Sequence, residues 1–243
     1  MAKLIRLEIE IVDMMISLER QGLTEAVRGE IEALLLSGDL KMGDRINEVD
    51  LAGRFGVSRG PIREACRGLA ERGVLTIVPY RGAYVREISL AQAQQLYELR
   101  AGLFGYAGFV AAQHPNPALV DELRELHAAM RDEVESDRMK AYYSLNLRFH
   151  SAILEHTGNK ELIMNYENLV AKLHLFRASG LVQPGNLRQS NQEHSDIIDA
   201  MVIGQPLQAF SALHQHVQAG MRRMLFAQPI DEEKQEQPRK REA

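Results

Sequence analysis

The chain has 243 residues, 45% of them hydrophobic, and a formal net charge of −4. That is room for one large or two medium domains with a real core, and a charge balance that does not by itself attract a polyanion. A single cysteine, Cys66, excludes an intramolecular disulfide and fits a reducing compartment, and charges at Arg6, Glu8, Glu10 and Asp13 interrupt the apolar-rich segment 2–20, so a soluble cytoplasmic protein with no membrane span or signal peptide is expected.

Leu4, Leu7, Ile11, Met14 and Leu18 recur at steps of three and four, which predicts an N-terminal helical arm over 1–22. Its apolar face could pack on its own chain or on a second subunit. A second helix runs from Thr24 to Ser37 on Val27, Ile31, Leu34 and Leu35. Asn47 is placed to cap a short helix ending at Phe55, and Ser58 to cap another, with Pro61 in its first turn and Gly73 closing it. Residues 74–78 and 83–86 are β-rich around a Pro79–Gly82 turn. Three helices and a hairpin predict a winged helix-turn-helix over 23–88.

After Ile88 the strands stop. Ser89 opens a long helix to about Gln113, and further helices are expected near 118–135, 138–156, 160–179, 188–203 and 206–226. Asp137 and Asn159 are plausible caps, and Pro206 suits a first helical position. The expected fold is mainly α, with the winged module followed by an all-α antiparallel helical bundle over 89–228. The polar, charge-rich segment 229–243 reads as a disordered tail.

The charge of the chain conceals a local excess. From Leu51 to Arg86 there are seven arginines, and the acids are Glu64 and Glu71 alone. Arg59, Arg63 and Arg67 fall at i, i+4 and i+8 along one stripe, opposite Ile62, Cys66 and Leu69. An exposed guanidinium stripe opposite an apolar one suits a helix lying in the major groove, where its forks pair with guanine edges or grip phosphates. Arg54, Ser58 and Gly60 flank this helix, Ser58 and the helix N-terminus can hold a phosphate, and Arg81-Gly82 at the hairpin tip can reach the minor groove.

The run from Leu51 to Leu69, followed by Arg81-Gly-Ala-Tyr-Val85, resembles the winged-helix module of the GntR family, whose recognition helix opens with VSR-x-P-x-REAL; Val57, Ser58, Arg59, Pro61, Arg63, Glu64 and Ala65 match it. The second half is similar to the FCD branch of the FadR-like subfamily, through Leu96–Arg100, Asn146–His150 (that branch's D-x-x-F-H), Glu193-His194 and His216-Val217. The resemblance implies a sequence-specific transcription regulator, a repressor rather than an enzyme, bound as a homodimer to palindromic double-stranded operator DNA and controlled by a small carboxylate.

Asn146 and His150 lie one helical turn apart, and His194 and His216 fall on two later helices. One oxygen and three imidazoles can form the inner shell of zinc, with nickel or manganese as alternatives. In the FCD branch such a metal holds the effector's carboxylate. Where that branch has aspartate this chain has Asn146, a neutral and weaker ligand that leaves the pocket more positive. Arg100, Arg148, Arg177 and Arg188 are the candidate effector-binding arginines. Two rivals are a helical-bundle metal-dependent enzyme, which needs a general base near the metal, and an architectural protein that binds DNA without sequence preference.

Overall fold

A computed structural model of the chain describes residues 22–181 and 186–227, with backbone alone for 175–181 and 224–227. The expected N-terminal arm and the expected tail lie outside the described residues, except at the arm's last residue.

The described elements follow the predicted order. They are α1 (residues 22–37), α2 (Glu48–Phe55), α3 (Arg59–Glu71), β1 (Leu75–Val78), β2 (Gly82–Val85), α4 (Leu90–Gln113), α5 (Pro117–Glu135), α6 (Met139–His156), α7 (Lys160–Leu181), α8 (Asn186–Ile203) and α9 (Pro206–Ala227). Among the described residues no helix is long and apolar enough to cross a membrane. The chain divides into two compact units. One holds residues up to Arg100 together with Lys160–Leu175, and the other holds Ala101–Asn159 and the remainder.

The first unit is built on local signals that agree with one another. Asn47 caps α2 as expected, its side-chain oxygen accepting from the N–H groups of Val49 and Asp50 at 3.2 and 3.3 Å. Gly56, at φ +66°, ends that helix in the left-handed conformation that glycine adopts without strain. Ser58 occupies the N-cap position of α3, but its hydroxyl makes no capping hydrogen bond. The antiparallel hairpin pairs Leu75 with Val85 and Val78 with Gly82, and Arg45 adds an isolated bridge to Tyr84. Inside lie Val27, Ile31, Leu35, Ile62, Cys66, Leu69 and Val85, with Ala171 of α7 in the same core. Burial pushes the Cys66 thiol up to about 11, so it behaves as a small apolar filler.

Ser89 opens α4 with a reciprocal capping box: the Ser89 hydroxyl accepts from Gln92 N–H at 3.2 Å, and the Gln92 side chain accepts from Ser89 N–H at 3.1 Å.

Arg72, the C-cap of α3, ties three helices of this unit together. Its guanidinium donates to Glu32 of α1 at 2.8 Å and to the Asn168 side chain of α7 at 3.0 Å. Burial raises the pKa of Glu32, and Arg72 only partly offsets it. Arg72→Ala should therefore cost about 1–3 kcal/mol in denaturant unfolding of the full chain, because a half-buried carboxylate loses its donor. Adding Glu32→Gln to that variant should restore part of the loss. An Arg72→Ala protein as stable as the parent would show that the pair does not anchor the unit.

In the second unit, α5 packs on α6 and α8, and α8 packs on α9. Asp137, expected to cap α6, instead adopts a left-handed φ of +51°, and Arg138 takes the N-cap position without a side-chain bond. The short link between α5 and α6 needs a sharp reversal there, and aspartate tolerates that conformation better than most residues. The part of α4 in this unit approaches α9 closely: a Cβ on Gly108 would lie 2.8 Å from the Leu213 side chain and 3.0 Å from the Ala209 carbonyl. Glycine there allows the backbone approach that carries His216 inward.

Candidate DNA-reading surface and candidate metal centre

In the first unit, α2, α3 and the wing enclose a cleft of about 560 Å³ whose charged lining is Arg45, Glu48, Arg59, Arg63 and Arg81. The cationic stripe of α3 is solvent-facing throughout. Ile62, Ala65, Cys66 and Leu69 turn inward, while Arg59, Gly60, Arg63 and Arg67 are exposed. Arg54 and Ser58 are exposed as well, and Gly82 is partly buried in the hairpin.

The structure adds partners that spacing did not reveal. The Glu48 carboxylate accepts from Arg63 at 2.7 Å and from Arg59 at 3.2 Å, while Arg67 pairs with Glu64 within α3 at 2.8 Å. Desolvation works against the Glu48 carboxylate, yet the hydrogen bonds from Arg63 and Arg59 outweigh it and lower its pKa. Tyr80 stands fully exposed at the tip of the wing, at φ +61°. That conformation costs a non-glycine residue about 1–2 kcal/mol. Arg45, Glu48 and Tyr80 were missed by sequence reasoning; the N-cap signal at Asn47 could have drawn attention to the acid after it.

In the second unit, α6, α8 and α9 bring His150, His194 and His216 together. Their ligand-capable nitrogens all lie within 4.8 Å of one another. All three imidazoles are buried, and so is Asn146 one turn before His150 on α6. His150 Nε2 lies 3.1 Å from His216 Nε2. Two nitrogens on one tetrahedral zinc would be about 3.3 Å apart, given Zn–N bonds of roughly 2.0–2.1 Å.

A chain of partners orients His216. Its Nδ1 meets Glu193 at 2.8 Å, and Arg223 donates to both oxygens of that carboxylate at 2.6 and 2.9 Å. The hydrogen bond assigns the proton to Nδ1, which leaves a lone pair on Nε2 facing His150. Burial opposes the Glu193 charge, but the bonds from His216 and Arg223 prevail and hold its pKa below the carboxylate norm. Both oxygens of Glu193 are thus occupied, which is not the arrangement of the general base that the enzyme reading requires.

His194 is completely buried, and the Ser190 backbone is a hydrogen-bond partner for its ring. Burial first, then the proximity of His216, hold its pKa well below the usual histidine range; the nearby Ser190 backbone acts in the other direction. A neutral imidazole is the ligating form. One backbone group can serve only one ring nitrogen, and leaving the other unpaired at zero exposure is costly unless something binds there. Phe149 contacts His194 at 4.6 Å between ring centroids, and Phe104 contacts His150 at 4.4 Å, giving the cluster apolar walls. These residues fit a divalent metal.

The candidate effector arginines differ in their surroundings. Arg148 is exposed and bridges Glu122 at 2.7 Å and Glu155 at 3.1 Å. Two residues beyond Asn146, it projects from nearly the opposite side of α6. Arg188 is exposed on α8, and the Arg177 side chain lies outside the described residues. Arg100 is buried in the first unit, where it donates to the Tyr166 hydroxyl at 2.6 Å and its guanidinium carbon lies 5.0 Å from that ring's centre. His127 contacts the Asn191 carbonyl at 3.1 Å, His156 contacts that of His114 at 3.0 Å, and His214 stacks on Phe210.

Comparison with known proteins identifies the family of both parts of the chain. Residues 23–85 match the family model described as bacterial regulatory proteins, gntR family, and residues 95–219 match that of the FCD domain. A probable D-xylose utilization operon transcriptional repressor from Paenarthrobacter nicotinovorans is 28% identical over 83% of this chain and 88% of its own length. The Nta operon transcriptional regulator of Aminobacter aminovorans is 30% identical over 68% of this chain and 76% of its own. Among solved structures, E. coli McbR/YncC superposes with a TM-score of 0.77 at 23% identity, covering 84% of this chain and 97% of that one, a likeness of fold.

Proposed function

The chain belongs to the GntR family of bacterial regulatory proteins and carries an FCD domain, and from that premise we propose that it is a repressor whose hold on operator DNA is set by a small carboxylate bound at a metal centre. As a transcription regulator it has two tasks, one for each unit.

The first is reading DNA in the cytoplasm. Arg59, Arg63 and Arg67 line the exposed side of α3 for the major groove, Arg54 and Ser58 lie at the turn for phosphate contacts, and Arg81-Gly82 reach the minor groove from the wing. A homodimer would present two such helices to half-sites about one turn of DNA apart. The similarity to the probable D-xylose utilization operon repressor of Paenarthrobacter nicotinovorans supports the sign of regulation.

The second task is sensing. The observation that carries it is the buried trio His150, His194 and His216, whose ligand-capable nitrogens all lie within 4.8 Å of one another. These three, with Asn146, would hold the ion, zinc before nickel or manganese. When bound, the ion supplies a Lewis-acid anchor for a carboxylate oxygen. The chain's own residues do the rest: Glu193 fixes the His216 tautomer, Arg223 keeps Glu193 ionised, and Phe104 and Phe149 exclude water. Arg100 is assigned a structural role, joining α4 to α7 through Tyr166. Control follows if the carboxylate binds the DNA-competent and DNA-incompetent arrangements with different affinity.

The test is DNA binding by the full chain to a duplex it selects from a random pool, with zinc and a panel of hydroxy acids and dicarboxylates. At least one should weaken binding by about 5–150-fold, and the effect should vanish in a His150→Ala/His194→Ala/His216→Ala variant. An undiminished effect in that variant would contradict the reading.

A further inference from the structure

Glu48 is a carboxylate in a surface expected to meet a polyanion. Among the residues lining the α2–α3–wing cleft it is the one acid, facing Arg45, Arg59, Arg63 and Arg81. Next to a phosphate backbone such a charge is repulsive. Its position is nevertheless held firmly. It is the first residue of α2, where the helix dipole favours an anion, and it binds the guanidinium groups of two successive turns of α3, Arg63 Nε at 2.7 Å and Arg59 Nη2 at 3.2 Å.

The consequence for the arginines is geometric. Arg59 and Arg63 have more than half of their side-chain surface exposed, whereas Glu48 is only 22% exposed. The carboxylate is thus the more fixed partner, and it takes one nitrogen of each guanidinium of two largely exposed side chains. An unanchored arginine on this surface is free to swing to the nearest phosphate, a contact that carries no sequence information. An arginine tethered at one edge keeps a narrower range of directions and can still present a bidentate face to a guanine. The negative charge meanwhile lowers the pull of the whole surface on DNA of arbitrary sequence.

We propose that Glu48 is a specificity-determining positioning residue: it aims Arg59 and Arg63 at base edges and weakens binding to non-cognate DNA. The inference rests on the assignment of α3 as the DNA-reading helix. Fitting Glu48 into it explains why an acid sits among four arginines in this cleft.

The experiment compares parent, Glu48→Gln and Glu48→Asp, as full chains, on two probes: a duplex selected from a random pool by the parent, and a scrambled duplex of the same composition. Glu48→Gln keeps the shape and removes the charge. It should bind scrambled DNA about three- to tenfold more tightly, reduce the preference for the selected duplex by a similar factor, and steepen the slope of log K against log salt by about one as a released arginine takes a phosphate. Glu48→Asp keeps the charge but is too short to reach both guanidinium groups. It should leave scrambled binding near the parental level while still eroding preference. A structural role alone would weaken both probes together without changing the salt slope, and that result, or unchanged preference in both variants, overturns the proposal. A parent that selects no sequence at all, yet binds the random pool, overturns the DNA-reading assignment and this inference with it.

Discussion

Arg59→Ala and Arg63→Ala should each weaken binding to the selected duplex by about five- to 150-fold, measured by fluorescence anisotropy at fixed salt. A bidentate guanidinium contact to a base contributes about 1–3 kcal/mol of discrimination, and each 1.4 kcal/mol is a factor of ten. Both arginines lie on the solvent side of α3, opposite Ile62, Ala65, Cys66 and Leu69, which are buried, so truncation should remove DNA contacts without opening the core. The two effects should not add simply. The side chains share Glu48, and removing one arginine leaves the carboxylate to the other. Arg67→Ala should cost less, since its guanidinium is engaged by Glu64 in the same helix. If both single variants bind the duplex as the parent does, α3 is not the reading helix.

The second large effect is expected at the histidine cluster. Replacing His150, His194 and His216 together by alanine should abolish high-affinity zinc binding, and Glu193→Gln alone should weaken it by about 10–100-fold, the usual consequence of losing a carboxylate that orients a ligating imidazole. The Glu193 effect separates orientation from ligation. Its carboxylate holds Nδ1 of His216, and the nitrogen facing His150 is Nε2. Glutamine can accept the same hydrogen bond, but it is neutral and lowers the basicity of the ring. Competition against a chromophoric chelator measures both variants, and a Glu193→Gln protein with parental zinc affinity would show that this partner does not tune the site.

Much of this architecture is legible in the sequence because local signals concur. Asn47, Gly56, Ser89 and Pro206 each act at an element end where their chemistry places them. The 3.6-residue period of Ile62, Cys66 and Leu69 names the buried side of α3 and, by exclusion, its cationic side. The three histidines were identifiable through resemblance and through the one-turn spacing of Asn146 and His150, but their convergence is a tertiary fact. It depends on α6, α8 and α9 meeting in one unit, helped by the close approach of α4 and α9 at Gly108.

What sequence could not give were partners distant in the chain. Arg148 sits between Asn146 and His150 in a motif-like run, yet besides Glu155 of its own helix it pairs with Glu122, 26 residues earlier. Glu193 adjoins His194 and serves His216 instead, 23 residues later. Adjacent helical residues project about 100° apart, so the neighbour in sequence is not the neighbour in space. Glu48 was overlooked because an acid after an N-cap already has a sufficient explanation in the helix dipole; its ties to Arg59 and Arg63 appear only when α2 and α3 are packed together.

The most direct test is the metal content of the full chain, purified without an affinity tag, by elemental analysis beside the triple histidine variant. The account predicts close to one equivalent of a divalent metal per chain, zinc foremost, in the parent after zinc is offered and removed by gel filtration, and none in the variant. Equal metal content in the two proteins, or none in the parent under those conditions, would contradict it and leave the buried imidazoles as a metal-free pocket.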